Sequence, residues 1–131
     1  MTALLFSKKW RYGVALLSWM IVIFALSSIH GSGTNYEPSP WYVLERKGAH
    51  VAEFFILAFL ASLFFAEYRR IREKRAYFFL IVFLFGVAYA FSDEIHQFFV
   101  FGRQSKFTDV LIDTVGVILG MIGFFFWKWK R

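Results

Sequence analysis

The chain has no cysteine, so disulfides and thiolate-ligated metals are excluded. It is also short of charge: 18% of its 131 residues are Asp, Glu, Lys or Arg, while 59% are hydrophobic and 19 are phenylalanine. A soluble domain of this size could not cover itself with so little polar surface. Low-complexity tracts and stretches of soluble-domain composition are missing too, which leaves one membrane domain over residues 1–131 as the expectation. No HExxH or other two-histidine helical spacing occurs, and Ser92 has no nucleophile elbow around it. Neither a metal site nor a cofactor is therefore expected. The formal charge of +6 does not point to nucleic acid, because the basic residues stand at the ends of hydrophobic blocks.

What is present is a series of long apolar blocks. Residues 10–29, 50–68, 76–98 and 107–129 each approach or exceed the roughly 20 residues that cross a bilayer at about 1.5 Å per residue. The expected fold is all-α: a polytopic, compact bundle of four transmembrane helices. The first block follows Lys8, Lys9 and Arg11 and resembles a signal peptide, but its length and the spans that follow mark it as an uncleaved helix. "HGSGTNYEPSPWYVLERKG" reads as the long irregular loop between the first two helices.

Charge asymmetry orients the bundle. Lys8, Lys9 and Arg11, then Arg69, Arg70, Arg72, Lys74 and Arg75, then Lys128, Lys130 and Arg131 collect on one side. The positive-inside rule makes that side cytoplasmic, with both termini inside and the long loop and "FGRQSK" outside. Tryptophans and tyrosines such as Trp10, Tyr68, Trp127 and Trp129, with Trp41 and Tyr42 opposite, fit interfacial belts.

That topology gives the polar stretch "SDEIHQFF" a depth. From Tyr77 at the inner interface, Asp93 lies about 24 Å along its helix and Gln97 about 30 Å, near the outer end. The second helix opens with Lys47, His50 and Glu53 on one face at the same level, and the fourth with Asp109 and Asp113. Asp93, Glu94, His96 and Gln97 thus share a layer with acids and histidines from two other helices, and Arg103 and Lys106 supply nearby cations. Charges at such depth cost roughly 2.5 kcal/mol or more unless they find partners. Two readings stay open: an interhelical lock, or an outward-facing polar pocket. Gly116 and Gly120, four apart, are expected to let a neighbouring helix approach closely, within the monomer or in a homodimer.

The stretch "YAFSDEIHQFFVFGRQSKFTDVLIDTVGVILG", with the upstream "LSSIHGSG" and "ERKGAHVAEFFILAFLASL", resembles the VanZ-like family of small bacterial membrane proteins over nearly the whole chain. The resemblance marks Lys47, His50, Glu94, Gln97, Gly102, Arg103, Asp109, Asp113 and Gly116. Two positions depart from it: Asp113 replaces a common asparagine, and Phe101 a common proline. It implies a multi-pass protein of the bacterial plasma membrane with an envelope role, in a family whose namesake is associated with lowered susceptibility to teicoplanin.

Pocket and resemblance together set the functional expectation. Lys47, His50, Glu53, Asp93, Glu94, His96, Gln97, Arg103, Asp109 and Asp113 would bind the headgroup of a membrane lipid or lipid-linked cell-wall precursor. Arg46, Lys47, Arg103 and Lys106 are expected along the outer rim, and an arginine can grip phosphate with two donors. The alternatives are an enzyme that modifies such a headgroup with Glu94 and His50 as acid and base, and a structural or regulatory membrane partner.

Overall fold

The structure is a computed structural model that describes residues 7–31, 39–103 and 105–129. Residues 32–38 of the expected Gly/Ser/Pro loop, the Trp129 side chain and the basic pair Lys130 and Arg131 lie outside the described residues. Four long helices are present: α1 (Lys8–Ser27), α2 (Pro40–Phe65), α3 (Arg75–Phe98) and α4 (Phe107–Phe124), the last continued by a π-helical turn at Phe125–Trp129. All four are long and apolar enough to cross a membrane.

Local chemistry explains the helix starts. The Ser7 hydroxyl accepts the Trp10 N–H at 3.2 Å, and that of Ser39 accepts the Tyr42 N–H at 3.2 Å, with Pro40 already preset for the first helical position. This second cap corrects an expectation. α2 begins ten residues before His50, because "WYVLERKG" is built largely of helix formers and follows a Ser-Pro start, although it is too polar to register as a span. Its 26 residues run about 39 Å, longer than a hydrocarbon core of about 30 Å.

The helices alternate in direction. The Lys9 ammonium lies 4.0 Å over the Tyr68 ring, joining the start of α1 to the end of α2 near the basic turn Arg69–Arg72. At the other, polar end, the Gly31 N–H donates to the Phe101 carbonyl at 3.2 Å, so the exit of α1 meets the turn after α3. Gly102 occupies that turn with φ 75°, a left-handed conformation that favours glycine.

α2 touches the other three helices, and its contact with α4 is the most extensive in the bundle. Glycine is the reason. A Cβ on Gly116 would stand 2.5 Å from the Val51 carbonyl oxygen, and one on Gly120 would strike that of Phe55, so the two backbones lie against each other. Phe54, Leu57, Phe78, Val82, Val117 and Phe124 are completely buried between the helices, with Phe78 stacked on Phe124 at 5.6 Å. Leu17, Ile21, Leu80, Leu84, Leu111 and Val115 point outward, as a lipid-facing surface requires.

α1 is the least buried span and is held by polar side chains reaching backbone carbonyls. The Trp19 indole N–H donates to Glu53 O at 2.9 Å, and the Tyr89 hydroxyl to Met20 O at 2.6 Å.

Candidate functional site

Apart from Ser62, whose hydroxyl donates to the Ala58 carbonyl on its own helix, the buried polar side chains gather at the polar end. Ser27 from α1, His50 from α2, Asp93, Glu94 and Gln97 from α3, and Asp113 from α4 are all buried there. Glu94 aside, this layer falls into two neighbouring hydrogen-bonded groups, Ser27–Gln97–Asp93 and His50–Asp113. The Gln97 amide N–H₂ donates to Asp93 Oδ2 at 2.7 Å and, more weakly, to Ser27 Oγ at 3.4 Å. His50 Nδ1 lies 3.1 Å from Asp113 Oδ1, and donor atoms of His50, Asp93 and Asp113 all fall within 4.8 Å of one another. Each residue reaches the layer through helical spacing: Asp93 and Gln97 one turn apart on α3, Asp113 one turn before Gly116 on α4.

Two clefts open on either side. The first, of about 330 Å³, lies between the exit of α1 and the first turns of α2, and its walls include Glu45, Arg46, His50, Glu53 and Arg103. The second, of about 380 Å³, lies between the end of α3 and the start of α4, where Phe91, Phe98 and Phe107 surround Glu94, Ser105 and Lys106.

Arg103 is fixed in the first cleft. Its Nε donates to Ile29 O and its Nη2 to Leu26 O, both at 3.1 Å, satisfying carbonyls at the exit of α1. Burial and the nearby Arg46 guanidinium both push Arg103 below its ordinary value. No carboxylate lies within ion-pair distance of either arginine among the described residues, and Arg46 Nη2 is buried with no hydrogen-bond partner.

The expected site residues therefore divide. His50, Asp93 and Asp113 come close together, with Gln97 bonded to Asp93, and His50, Glu53 and Arg103 share the first cleft. Glu94 lies on the second, accepting from Ser105 Oγ at 2.8 Å and from the Lys106 N–H at 3.1 Å, so it ties down the start of α4. Glu94 and His50, expected to act as one acid–base pair, are on different clefts, and the partner of His50 is Asp113. His96 stacks on Phe24 at 4.2 Å and donates from Nε2 to Ser28 Oγ at 2.9 Å, since that hydroxyl gives its own proton to Phe24 O. Lys47 is exposed and borders neither cleft, and Asp109 sits half-buried in the first turn of α4, where a negative charge suits the helix N-terminus.

Glu45, Ser27 and Ser105 were not among the expected site residues. Arg46, expected on the outer rim, is one helical turn before His50 on α2.

The family model described as VanZ/LLP1 matches residues 6–128. No curated protein matches the chain, and no solved structure does.

Proposed function

The chain belongs to the VanZ/LLP1 family and is a multi-pass bacterial membrane protein, and from that premise we propose that it binds the phosphate-bearing headgroup of an envelope amphiphile in the first cleft. Two guanidiniums without an ion-pair partner among the described residues carry this reading. Arg46 and Arg103 line the same cleft, and Arg46 has a buried donor with no acceptor among those residues. An anion bridging them would satisfy that donor and offset the like-charge contact. Glu45 and Glu53 on the same walls suit amine or hydroxyl groups beside the phosphate, as in a zwitterionic lipid or a sugar-bearing precursor. The apolar chain of the ligand would lie along the outward Leu, Ile and Phe side chains. With the termini cytoplasmic, the cleft faces the outer leaflet, and occupancy there is the property through which the chain would alter teicoplanin susceptibility.

Native lipid analysis of the purified protein tests this. Phosphate-bearing lipids should co-purify with wild type and be lost from Arg46→Ala and Arg103→Ala; equal occupancy in all three defeats the proposal. Because the chain has no cysteine, a single Gln104→Cys reports topology without background. Labelling of that position from the cytoplasm alone would reverse the orientation.

A second reading rests on the His50–Asp113 pair. An imidazole oriented by a buried carboxylate on a cleft wall is the arrangement of a general base, which would make the protein a headgroup-modifying enzyme. Turnover of a labelled lipid that disappears in His50→Gln while binding persists would favour it; lipid recovered unchanged would not.

A further inference from the structure

We propose that His50, Asp93 and Asp113 form a binding site for a divalent first-row metal ion, with zinc the best-suited occupant. The three side chains come from three helices, and a donor atom of each lies within 4.8 Å of the others. No two of these residues share a helix, so sequence spacing puts them at one depth while packing alone brings them together.

Unanswered donors point to a ligand. Asp113 is completely buried, and while its Oδ1 faces His50, its Oδ2 has no partner among the described residues. Asp93 is 4% exposed, with Oδ2 held by Gln97. Gln97 is itself completely buried, and its Oε1 has no partner among those residues either. Two carboxylates thus share a buried layer, and the one cationic side chain within 4.0 Å of either, among the described residues, is a histidine that is charged only when protonated. Such a layer is unfavourable unless positive charge enters it.

A divalent ion meets each of these conditions. The 3.1 Å between His50 Nδ1 and Asp113 Oδ1 is close to the edge of about 3.4 Å between two tetrahedral ligands each about 2.1 Å from a common ion, and Asp93, within 4.8 Å of both, would close onto the ion on binding. One imidazole with two carboxylates favours zinc or manganese over magnesium or calcium, which prefer oxygen alone. Gln97 orients a ligating carboxylate, the outer-shell role that metal sites commonly contain. Entry is available because His50 forms part of the first cleft wall. The phosphate-gripping arginines are not ligands, so this site stands or falls separately from lipid binding.

The full chain, purified in detergent and stripped with a chelator, is titrated with Zn²⁺ and separately with Co²⁺. One ion per chain, a rise in melting temperature with metal and visible d–d absorption with Co²⁺ are expected. Asp113→Asn and His50→Gln should each weaken binding by at least roughly tenfold, and Gln97→Leu by roughly tenfold to a hundredfold. Glu73→Gln, an exposed acid paired with Arg69 at the opposite end of the bundle, should bind as wild type does. Asp113→Asn keeps a hydrogen-bond acceptor for His50, so it reports on metal in a folded protein. Wild type that takes up no ion saturably, or uptake that survives both Asp113→Asn and His50→Gln, overturns the site.

Discussion

His50 Nδ1 lies 3.1 Å from Asp113 Oδ1, bridging α2 and α4 one turn before Gly116 lets their backbones touch. Close approach and polar contact therefore reinforce each other along one helix pair. Gly116 and Gly120 remove the bulk that would separate the helices, and the imidazole and carboxylate set their register at the polar end.

Removing the carboxylate should destabilise the bundle more than neutralising it. Asp113→Ala leaves His50 without its partner and opens a small cavity, at an expected cost of about 1–2 kcal/mol, while Asp113→Asn retains an acceptor and should cost less than half as much. Denaturation of both variants in mixed micelles measures the difference; equal losses would mean that the pair contributes nothing specific.

Glycine substitutions should split by sign. Gly116→Ala and Gly120→Ala place a methyl against the carbonyls of Val51 and Phe55, which neither backbone can vacate, and each is expected to cost about 1–3 kcal/mol. Gly48→Ala on α2 meets nothing within 4 Å and should stabilise by about 0.5–1 kcal/mol through helix propensity. Thermal unfolding of the three variants supplies the comparison.

α1 should loosen when its two carbonyl contacts are cut. Trp19→Phe removes the bond to Glu53 O, and Tyr89→Phe the bond to Met20 O, each worth about 0.6–2 kcal/mol inside a membrane. Faster proteolysis between α1 and α2 in each variant, and faster still in the double variant, is the expected readout.

Arg103→Lys should introduce a pH dependence that wild type lacks. Burial and Arg46 lower the arginine from an ordinary value so high that it keeps its charge throughout the neutral and mildly alkaline range. A lysine in the same surroundings starts from about 10.4 and is pushed the same way, so it loses its proton as pH rises. Retention of anionic lipid should stay level from pH 7 to about 9.5 in wild type and fall over that range in Arg103→Lys, as co-purification at each pH would reveal.

Much of the site could be read along the chain, and its grouping could not. His50, Asp93, Gln97 and Asp113 stand out because polar residues are rare in long apolar helices, and each belongs to the buried layer. Glu94 stands out equally, yet it is about a hundred degrees around α3 from Asp93 and turns to Ser105 and Lys106. Arg46 is legible as a basic residue of the outer rim, but its place beside Arg103 on one cleft wall follows only from packing.

Composition and periodicity were enough to establish four membrane helices, since no other structure satisfies the backbone of such apolar segments within lipid. They also placed the polar residues at common helix ends, because helical rise converts spacing into depth. Which side chains meet was decided only when the helices packed, because rotation of each about its axis depends on contacts with its neighbours. The close approach at Gly116 and Gly120 brings Asp113 to His50, while the left-handed turn at Gly102 and the carbonyls of Leu26 and Ile29 hold Arg103 over the first cleft.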